Sequence, residues 1–236
     1  MHTPLVIAHR GYSSNALENS LASIRLALSL PVDMIELDVR MSRDKVLYVI
    51  HDQKTGRTAD QNIDIERATS AQISLLRLKN NEPVPTLSGV LTFVDGACGL
   101  NLEIKSSGAG ALTAKYLLSS GYSGDVLVSS FKEKEVLAAR QVMPGLPVSR
   151  IFNLFSTRNV KNYKSRGYAV ISLRNKTVNR KLIAACHELG IKVYVWTVDE
   201  KSEMQKLMMW GVDGIISNKP GVLKKVITKL QITSNK

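Results

Sequence analysis

The sequence of 236 residues predicts an α/β fold, specifically a TIM (β/α)₈ barrel. About eight short apolar segments alternate with segments whose apolar residues recur at helical spacing. Eight such units in a chain of this length fit a closed barrel, which typically takes about 250 residues. A doubly wound open sheet is the alternative, because alternation alone does not reveal closure. We expect a single domain over residues 1–236.

The first unit begins with an apolar run at residues 5–10, which is typical of a buried strand that opens into a loop. Apolar residues from Leu21 to Leu28 then predict a helix, with Asn15 or a neighbour as its cap and Pro31 at its end. The next strand covers residues 33–40.

This second strand alternates strictly between apolar and polar residues. Glu36 and Asp38 therefore project from the same side of the extended chain. A polar turn at residues 43–45 leads to a short β-rich segment, which brings His51 and Asp52 toward the paired acids.

A polar, turn-rich segment follows, and it predicts a small insertion at about residues 53–83. It contains one helical pattern at residues 70–78 and is too short to form an independent domain. A helix then runs from Pro85 and Thr86 to Val94, and Thr86 can cap its start.

The remaining chain repeats strand and helix regularly. The predicted strands lie at residues 100–105, 125–130, 147–153, 168–173, 192–198 and 214–217. The predicted helices lie at residues 109–118, 132–142, 179–189 and 201–210, and a last one begins near Pro220.

Three carboxylates are predicted to meet in the barrel mouth, where the functional loops of this fold lie. Glu103 projects from its strand beside Lys105, in the same way as Glu36 and Asp38 do from theirs. Three acids repel one another, so we expect one divalent cation, Mg²⁺ or Ca²⁺, with Mn²⁺ also compatible. The alternative is a plain ion-pair network in which Arg10, Arg40 and Lys105 neutralise the acids.

Two histidines, His9 and His51, stand at strand ends beside this cluster. Imidazole titrates near neutrality, so this pair can divide the roles of general acid and general base. Arg10 and Lys105 can bind the oxygens of a phosphate. The pattern indicates metal-assisted cleavage of a phosphate ester. We do not place His2 or His187 in the site.

The formal net charge of +12 favours anionic partners, with Lys and Arg scattered rather than gathered into one run. Zinc-finger spacing, aromatic RNA-binding signatures and helix-turn-helix cues are lacking, which disfavours nucleic acid. Cys98 and Cys186 are far apart and are predicted to be buried thiols of a reducing compartment. Without a leader or a long apolar run, the protein is expected to be cytoplasmic. Its oligomeric state stays open.

Seven motifs occur in an order that covers almost the whole chain. They are HRGYSSNALENS, IELDVRMSRDKVLYVIHD, VPTLSGVL, LNLEIK, VSSF, VWTVD and VDGIISNKP. This series resembles the glycerophosphodiester phosphodiesterase family, whose members are TIM barrels with a small insertion after the HD motif.

The resemblance implies the role of each site residue. Glu36, Asp38 and Glu103 would bind the metal, His9 and His51 would be acid and base, Arg10 and Lys105 would bind phosphate, and Asn19 would shape the site. Members of the family hydrolyse glycerophosphodiesters, such as glycerophosphocholine or glycerophosphoethanolamine, to sn-glycerol 3-phosphate and an alcohol. Both the identity of the base and the choice between attack by water and by the glycerol 2-hydroxyl stay open.

The sequence departs from the family at three places. Leu17 replaces a common Pro, Ser20 replaces Thr, and Ser217-Asn218 replaces Thr-Asp. The two replacements of Thr by Ser are mild because they keep the hydroxyl, whereas Asn218 lacks a carboxylate that would support the site near the last strand.

Two aromatic residues, Phe131 and Trp196, are expected to line the mouth and to receive the glycerol or a cationic head group. The alternative for both is ordinary barrel packing.

Two other functions compete with the leading one. The first is a lysophospholipase D-like activity at the same site, against which the short insertion argues. The second is a non-catalytic barrel that binds phosphorylated anions, against which the two intact histidines argue.

Overall fold

The computed structural model describes residues 3–234, and it contains a closed barrel of eight parallel strands. Strand β1 pairs with both β2 and β9, which closes the sheet and rules out the open-sheet alternative. His2 lies outside the described residues. The strands are β1 Leu5–His9, β2 Met34–Met41, β3 Leu47–Val49, β4 Gly99–Ile104, β5 Val126–Ser130, β6 Val148–Phe152, β7 Val170–Arg174, β8 Lys192–Trp196 and β9 Gly214–Ser217. The predicted TIM barrel is confirmed.

Helices surround the barrel and connect its strands. They are α1 Leu21–Leu28, α2 Ser70–Ser74, α3 Leu87–Val94, α4 Ala109–Ser120, α5 Glu133–Val142, α6 Val160–Ser165, α7 Arg180–Glu188, α8 Lys201–Trp210 and α9 Pro220–Ser234. Their apolar faces pack against the outward-facing residues of the strands, such as Leu37 and Leu102, in one continuous core.

The barrel interior is divided into an apolar and a polar end. Near the N-terminal ends of the strands the interior is filled by a separate apolar cluster, Ile7, Met34, Leu127, Val170, Tyr194 and Ile216. Toward the C-terminal ends the inward positions are polar, because β2 and β4 align Asp38 with Glu103 and Glu36 with Asn101. The parallel register thus places the acids of two strands side by side.

The segment predicted as an insertion follows β3, which forms an antiparallel hairpin with the end of β2. It contains a single turn of 3₁₀ helix at Thr55–Arg57 and the short helix α2. Its apolar residues, including Ile65, Ile73 and Leu76, form a small cluster with Tyr48 and Ile50. This packing attaches the segment to the barrel beside the site.

Several local predictions differ from the structure. Ser20, and not Asn15, caps α1. Helix α2 ends at Ser74, four residues earlier than predicted, because Leu76 and Leu78 turn into the small cluster of the insertion. Cys98 is only partly buried, since it lies in the turn before β4.

Helix α6 was not predicted, because its six residues carry only two buried side chains, Val160 and Tyr163. The cap of α3 at Thr86 is confirmed, with the Thr86 hydroxyl accepting a hydrogen bond from the Gly89 amide.

Within residues 3–234, none of the helices combines the length and the apolar character that crossing a bilayer requires.

Candidate active site

A cavity of about 250 Å³ opens at the C-terminal end of the barrel and holds most of the predicted site residues. Its lining includes His9, Arg10, Glu36, His51, Asn101, Glu103, Lys105, Ser129, Phe131 and Trp196. A larger cavity of about 580 Å³ lies at the opposite end, between residues such as Leu5, Tyr122 and Tyr194. The carboxyl and imidazole groups with perturbed pKa values, Glu36, Glu103, His9 and His51, line the smaller cavity, which makes it the candidate active site.

The three acids form one cluster inside this cavity. Glu36, Asp38 and Glu103 each offer a carboxylate oxygen, and the three oxygens lie within 4.8 Å of one another. Glu36 and Asp38 are buried, and Glu103 is nearly so. The alternation of two adjacent strands produces this convergence.

The pKa values of the three acids are shifted in different directions. Burial and the neighbouring Asp38 raise the pKa of Glu36 to about 8, and the same two causes raise the pKa of Glu103 to about 7. Burial would also raise the pKa of Asp38, but Lys105 and Arg10 outweigh it and hold that pKa well below its usual range. Among the described residues, Glu36 Oε1 has no hydrogen-bond donor, and Asp38 Oδ1 has only the Lys105 ammonium beside it, without the geometry of a hydrogen bond. Three crowded carboxylate oxygens fit a hard divalent cation.

Two basic side chains flank the acids. Arg10 Nε lies 3.1 Å from Asp38 Oδ2, and Lys105 Nζ lies 3.1 Å from Asp38 Oδ1 and also pairs with Glu103. Arg40, which the ion-pair alternative included, instead donates to Glu66 and to the carbonyl of His51. That alternative therefore loses one of its three cations.

The loop after β1 adopts an unusual backbone to reach the acids. Arg10 has a φ of 55° and the next residue, Gly11, a φ of 80°. In this conformation the Arg10 amide donates to Glu36 Oε2 at 3.0 Å. A side chain on Gly11 would collide with Ser23, so this position requires glycine.

Asn19 is a second residue in the left-handed region, with a φ of 54°. Its side-chain amide donates to Asp38 Oδ2 at 2.8 Å, and its carbonyl oxygen accepts from the Asp38 amide at 3.2 Å. The Asn19 side chain thus binds both the carboxylate and the backbone amide of Asp38.

His9 is oriented by a chain of hydrogen bonds from residues that follow β9, its neighbour in the sheet, and β8. Its Nδ1 lies 2.7 Å from Asn218 Oδ1, while Asn218 Nδ2 donates to Asp199 Oδ2 at 2.6 Å. Because that amide nitrogen is fixed by a carboxylate, the amide oxygen must face His9, and His9 Nδ1 must donate. The other ring nitrogen, Nε2, lies 3.8 Å from Glu36 Oε2 and is left without a proton in the neutral ring. Burial lowers the pKa of His9.

His51 has a carboxylate where His9 has an amide. Its Nδ1 lies 2.7 Å from Asp52 Oδ1. Burial lowers the pKa of His51, and the charge of Asp38 and the hydrogen bond with Asp52 oppose this effect. The two histidines therefore lie in electrostatically different surroundings.

A network of charges connects the insertion to both sides of the site. Arg57 donates to Asp52 Oδ2 at 2.5 Å and to the two oxygens of Glu18 at 2.6 and 2.9 Å. Glu18 also accepts from Arg10 Nη1 at 2.8 Å. One arginine of the insertion thus reaches the partner of His51 and the partner of Arg10.

Phe131 and Trp196 lie on the rim of the cavity as an edge-to-face pair, with ring centroids 5.6 Å apart. Among the described residues, Trp196 Nε1 has no acceptor although it is buried. The indole therefore offers an unused donor together with an aromatic surface.

Eight of the ten predicted site residues line the cavity, while Asp38 belongs to the adjoining acid cluster and Asn19 donates to Asp38. His187 lies apart, with its Nε2 2.8 Å from Asp213. Sequence reasoning missed Glu18, Arg57 and Asp199. Glu18 and Asp199 stood inside quoted motifs, which was the only available signal.

A closed β/α barrel whose mouth holds three carboxylates, two histidines and two cations is typical of hydrolases that act on phosphate esters. The sequence pattern of the glycerophosphoryl diester phosphodiesterase family matches residues 9–222. The chain therefore belongs to this family, and the prediction of a phosphodiesterase is confirmed.

Known relatives agree along nearly the full length of the chain. A glycerophosphodiester phosphodiesterase of Caldanaerobacter subterraneus is 30% identical over 240 residues, which cover 95% of this chain and 98% of the relative. An Oleispira antarctica phosphodiesterase, solved with the product sn-glycerol-3-phosphate, is 25% identical and covers 95% of this chain and 97% of its own, with a TM-score of 0.88. A Parabacteroides distasonis glycerophosphodiester phosphodiesterase is also 25% identical, with coverages of 98% and 99% and a TM-score of 0.88.

Proposed function

We propose that this protein hydrolyses small glycerophosphodiesters, such as glycerophosphocholine or glycerophosphoethanolamine, to sn-glycerol 3-phosphate and the free alcohol. The observation that carries this proposal is the convergence of His9 and His51 on one cavity with the acids and cations around them. Membership in the family and the product named for the Oleispira relative support the substrate class.

Glu36, Asp38 and Glu103 would hold one divalent cation, for which Mg²⁺ and Ca²⁺ are the leading candidates and Mn²⁺ is compatible. Such an ion supplies Lewis-acid stabilisation of the charge that develops on the phosphoryl oxygens. Arg10 and Lys105 add a planar donor fork and a point charge for the same oxygens.

His9 and His51 would divide the proton transfers. His9, whose Nδ1 donates to a neutral amide, would accept the proton of the attacking hydroxyl or water at Nε2. As the bond between phosphorus and the alcohol oxygen breaks, His51 would give a proton to that oxygen. The Asp52 carboxylate favours the protonated form of His51 that this step needs.

The cavity size favours small diesters over lysophospholipids. Its volume of about 250 Å³ is below the range of about 300–1,000 Å³ that is usual for drug-sized ligands. Phe131 and Trp196 would receive the alcohol or its cationic head, and the free Trp196 Nε1 would donate to a substrate oxygen. We further propose that residues 1–236 act as one domain, with the insertion as part of it, in the cytoplasm and without nucleic acid.

The test measures glycerol 3-phosphate released from glycerophosphocholine and glycerophosphoethanolamine with Mg²⁺, Ca²⁺ or Mn²⁺, and again after chelation. We expect release that depends on the metal and that is abolished in Glu36→Ala. Glu200→Ala, which removes an acid with an 81% exposed side chain, is the matched control. Full activity of Glu36→Ala would refute the proposed site. Faster release of choline from lysophosphatidylcholine than from glycerophosphocholine would refute the substrate class.

A further inference from the structure

The acids of this protein are distributed less evenly than its cations. Residues 136–187 contain no Asp or Glu, whereas they contain ten of the 32 Lys and Arg residues. These ten are Arg140, Arg150, Arg158, Lys161, Lys164, Arg166, Arg174, Lys176, Arg180 and Lys181. Because the rest of the chain is nearly balanced, this segment from α5 to α7 carries most of the net charge of +12.

Part of this charge lies beside the active-site cavity. Arg158 belongs to the loop after β6, and Arg174 and Lys176 belong to the end of β7 and the turn that follows. All three side chains are exposed, and none makes a salt bridge within residues 3–234. We call these three residues the cationic rim. It lies on the cavity side of the barrel, since β6 contributes Ile151 to the cavity and Arg174 pairs with Trp196 in register.

The same loop presents an apolar side chain to solvent. Leu154 is 77% exposed, while its neighbour Phe155 packs on Phe152 and Tyr163 with ring centroids 4.7 and 5.7 Å away. These aromatic contacts anchor the residue next to Leu154, so the backbone holds the leucine side chain toward solvent. An isolated exposed leucine is common, but Leu154 lies in the same loop as Arg158 of the cationic rim, on the cavity side of the barrel.

Three acids line the same surface depression as Lys176, and each has another partner. Asp199 accepts from Asn218 at 2.6 Å, Glu203 pairs with Lys206 at 3.0 Å, and Glu200 lies 3.9 Å from Lys219. Glu133 pairs with Arg166 at 2.8 Å and lies 3.8 Å from Arg150. The cations of the rim are therefore available to an external anion.

We propose that the cationic rim and Leu154 dock this face of the barrel on a lipid bilayer that contains anionic lipids. Clustered Lys and Arg are attracted to such a surface, and a projecting leucine inserts between its head groups. Nucleic acid fits this surface less well, because Leu154 cannot stack on a base as an aromatic side chain does. Docking would place the mouth of the site at the membrane, without any segment that spans it.

The experiment is vesicle flotation of the full chain, with phosphatidylcholine alone or with added phosphatidylglycerol. We expect binding only to the anionic vesicles, and release at about 1 M salt, where the screening length falls to about 3 Å. The variant Arg158→Glu/Lys176→Glu should bind at least about tenfold more weakly. Lys115→Glu/Lys225→Glu changes the net charge equally on the exposed faces of α4 and α9, and it should bind nearly as well as the parent.

Leu154 provides an independent measurement. Leu154→Asp should weaken binding at constant salt, and Leu154→Trp should retain binding and shift its fluorescence to the blue on anionic vesicles. Glycerophosphocholine hydrolysis by these variants should stay unchanged, which separates this proposal from the proposed function. Failure of the parent to bind anionic vesicles would overturn the docking proposal. Equal losses of vesicle binding in the two charge variants would also overturn it, as would binding to a DNA duplex but not to vesicles.

Discussion

Asn218 is one of the positions at which the sequence departs from the pattern of the family, and a carboxylate lies next to it in the structure. Asn218 Oδ1 lies beside the His9 ring, and Asn218 Nδ2 donates to Asp199, whose carboxylate is thus one hydrogen bond further from that ring. An aspartate at position 218 would face Asp199 across the 2.6 Å that now separates an amide from a carboxylate. The Asn218 amide therefore suits this position, because it can donate to the Asp199 carboxylate.

Replacing Asn218 by Leu should lower kcat with little effect on KM. The isosteric side chain removes the acceptor of His9 Nδ1, so the ring no longer has one fixed tautomer. Loss of such an orienting partner typically costs about 10- to 100-fold in activity. Steady-state kinetics and ¹⁵N spectra of the His9 ring measure both effects. Ser13→Ala, which removes the other donor to Asn218 Oδ1, is the milder control. An unchanged kcat in Asn218→Leu would contradict this role.

Asn19 combines a left-handed backbone with two hydrogen bonds to Asp38, and the two contributions can be separated. Asn19→Gly and Asn19→Ala both lose the side-chain bonds, but only Ala is strained at a φ of 54°. We therefore expect the Ala variant to unfold with a free energy about 1 kcal/mol lower than that of the Gly variant. Urea titration measures the difference. Equal stability of the two variants would show that the backbone at Asn19 carries no strain.

The insertion acts on the site through one side chain. Arg57 binds Glu18, which binds Arg10, and it also binds Asp52, which binds His51. Arg57→Gln should therefore raise KM through Arg10 and lower kcat through His51, by about tenfold in kcat/KM. Arg67→Gln is the matched control, because Arg67 belongs to the same insertion, is 87% exposed and lies 3.7 Å from Asp64. If the two variants had the same kinetics, the network would be only structural.

The elements differ in how well their sequences predict them. Strands β2 and β4 were predictable because one face of each packs in the apolar core and the other carries polar residues into the barrel mouth, which gives a period of two and fixes Glu36, Asp38 and Glu103. Helix α6 was not predictable, because two buried residues in six give too little periodicity. The role of Arg57 was not predictable either, since Arg57 and Glu18 are 39 positions apart in polar loops.

At the scale of the molecule, the barrel divides its interior between an apolar and a polar end. The buried apolar cluster around Ile7 and Tyr194 leaves the charged groups to the other end, where they are buried against one another. Closure of the sheet was not visible in the sequence, because it depends on the pairing of the first strand with the last. The alternation of elements predicted the barrel only through the number of its units.

The buried acids make global stability depend on pH. A carboxyl whose pKa is higher in the folded protein binds more protons there, so its contribution to stability is present at low pH and is lost as the pH rises. For Glu36 this loss extends from its ordinary pKa of 4.5 to about 8. The lowered pKa of His9 acts in the opposite direction, but only below its ordinary value of 6.5. Between pH 6.5 and about 8 the carboxyls therefore dominate.

We expect the melting temperature of the metal-free protein to fall as the pH rises from 6.5 to about 8. Glu36→Gln removes one of the repelling charges, so its melting temperature should depend less on pH in this window. A divalent cation binds the ionised carboxylates, and the increase in melting temperature that Mg²⁺ or Ca²⁺ produces should therefore be larger at the higher pH. Thermal melts with chelator and with each metal measure both effects, and Glu200→Gln controls for the loss of an exposed acid. A melting temperature that rises through this window without metal, or a metal effect that persists in full in Glu36→Gln, would contradict the role of the three acids as one cation site.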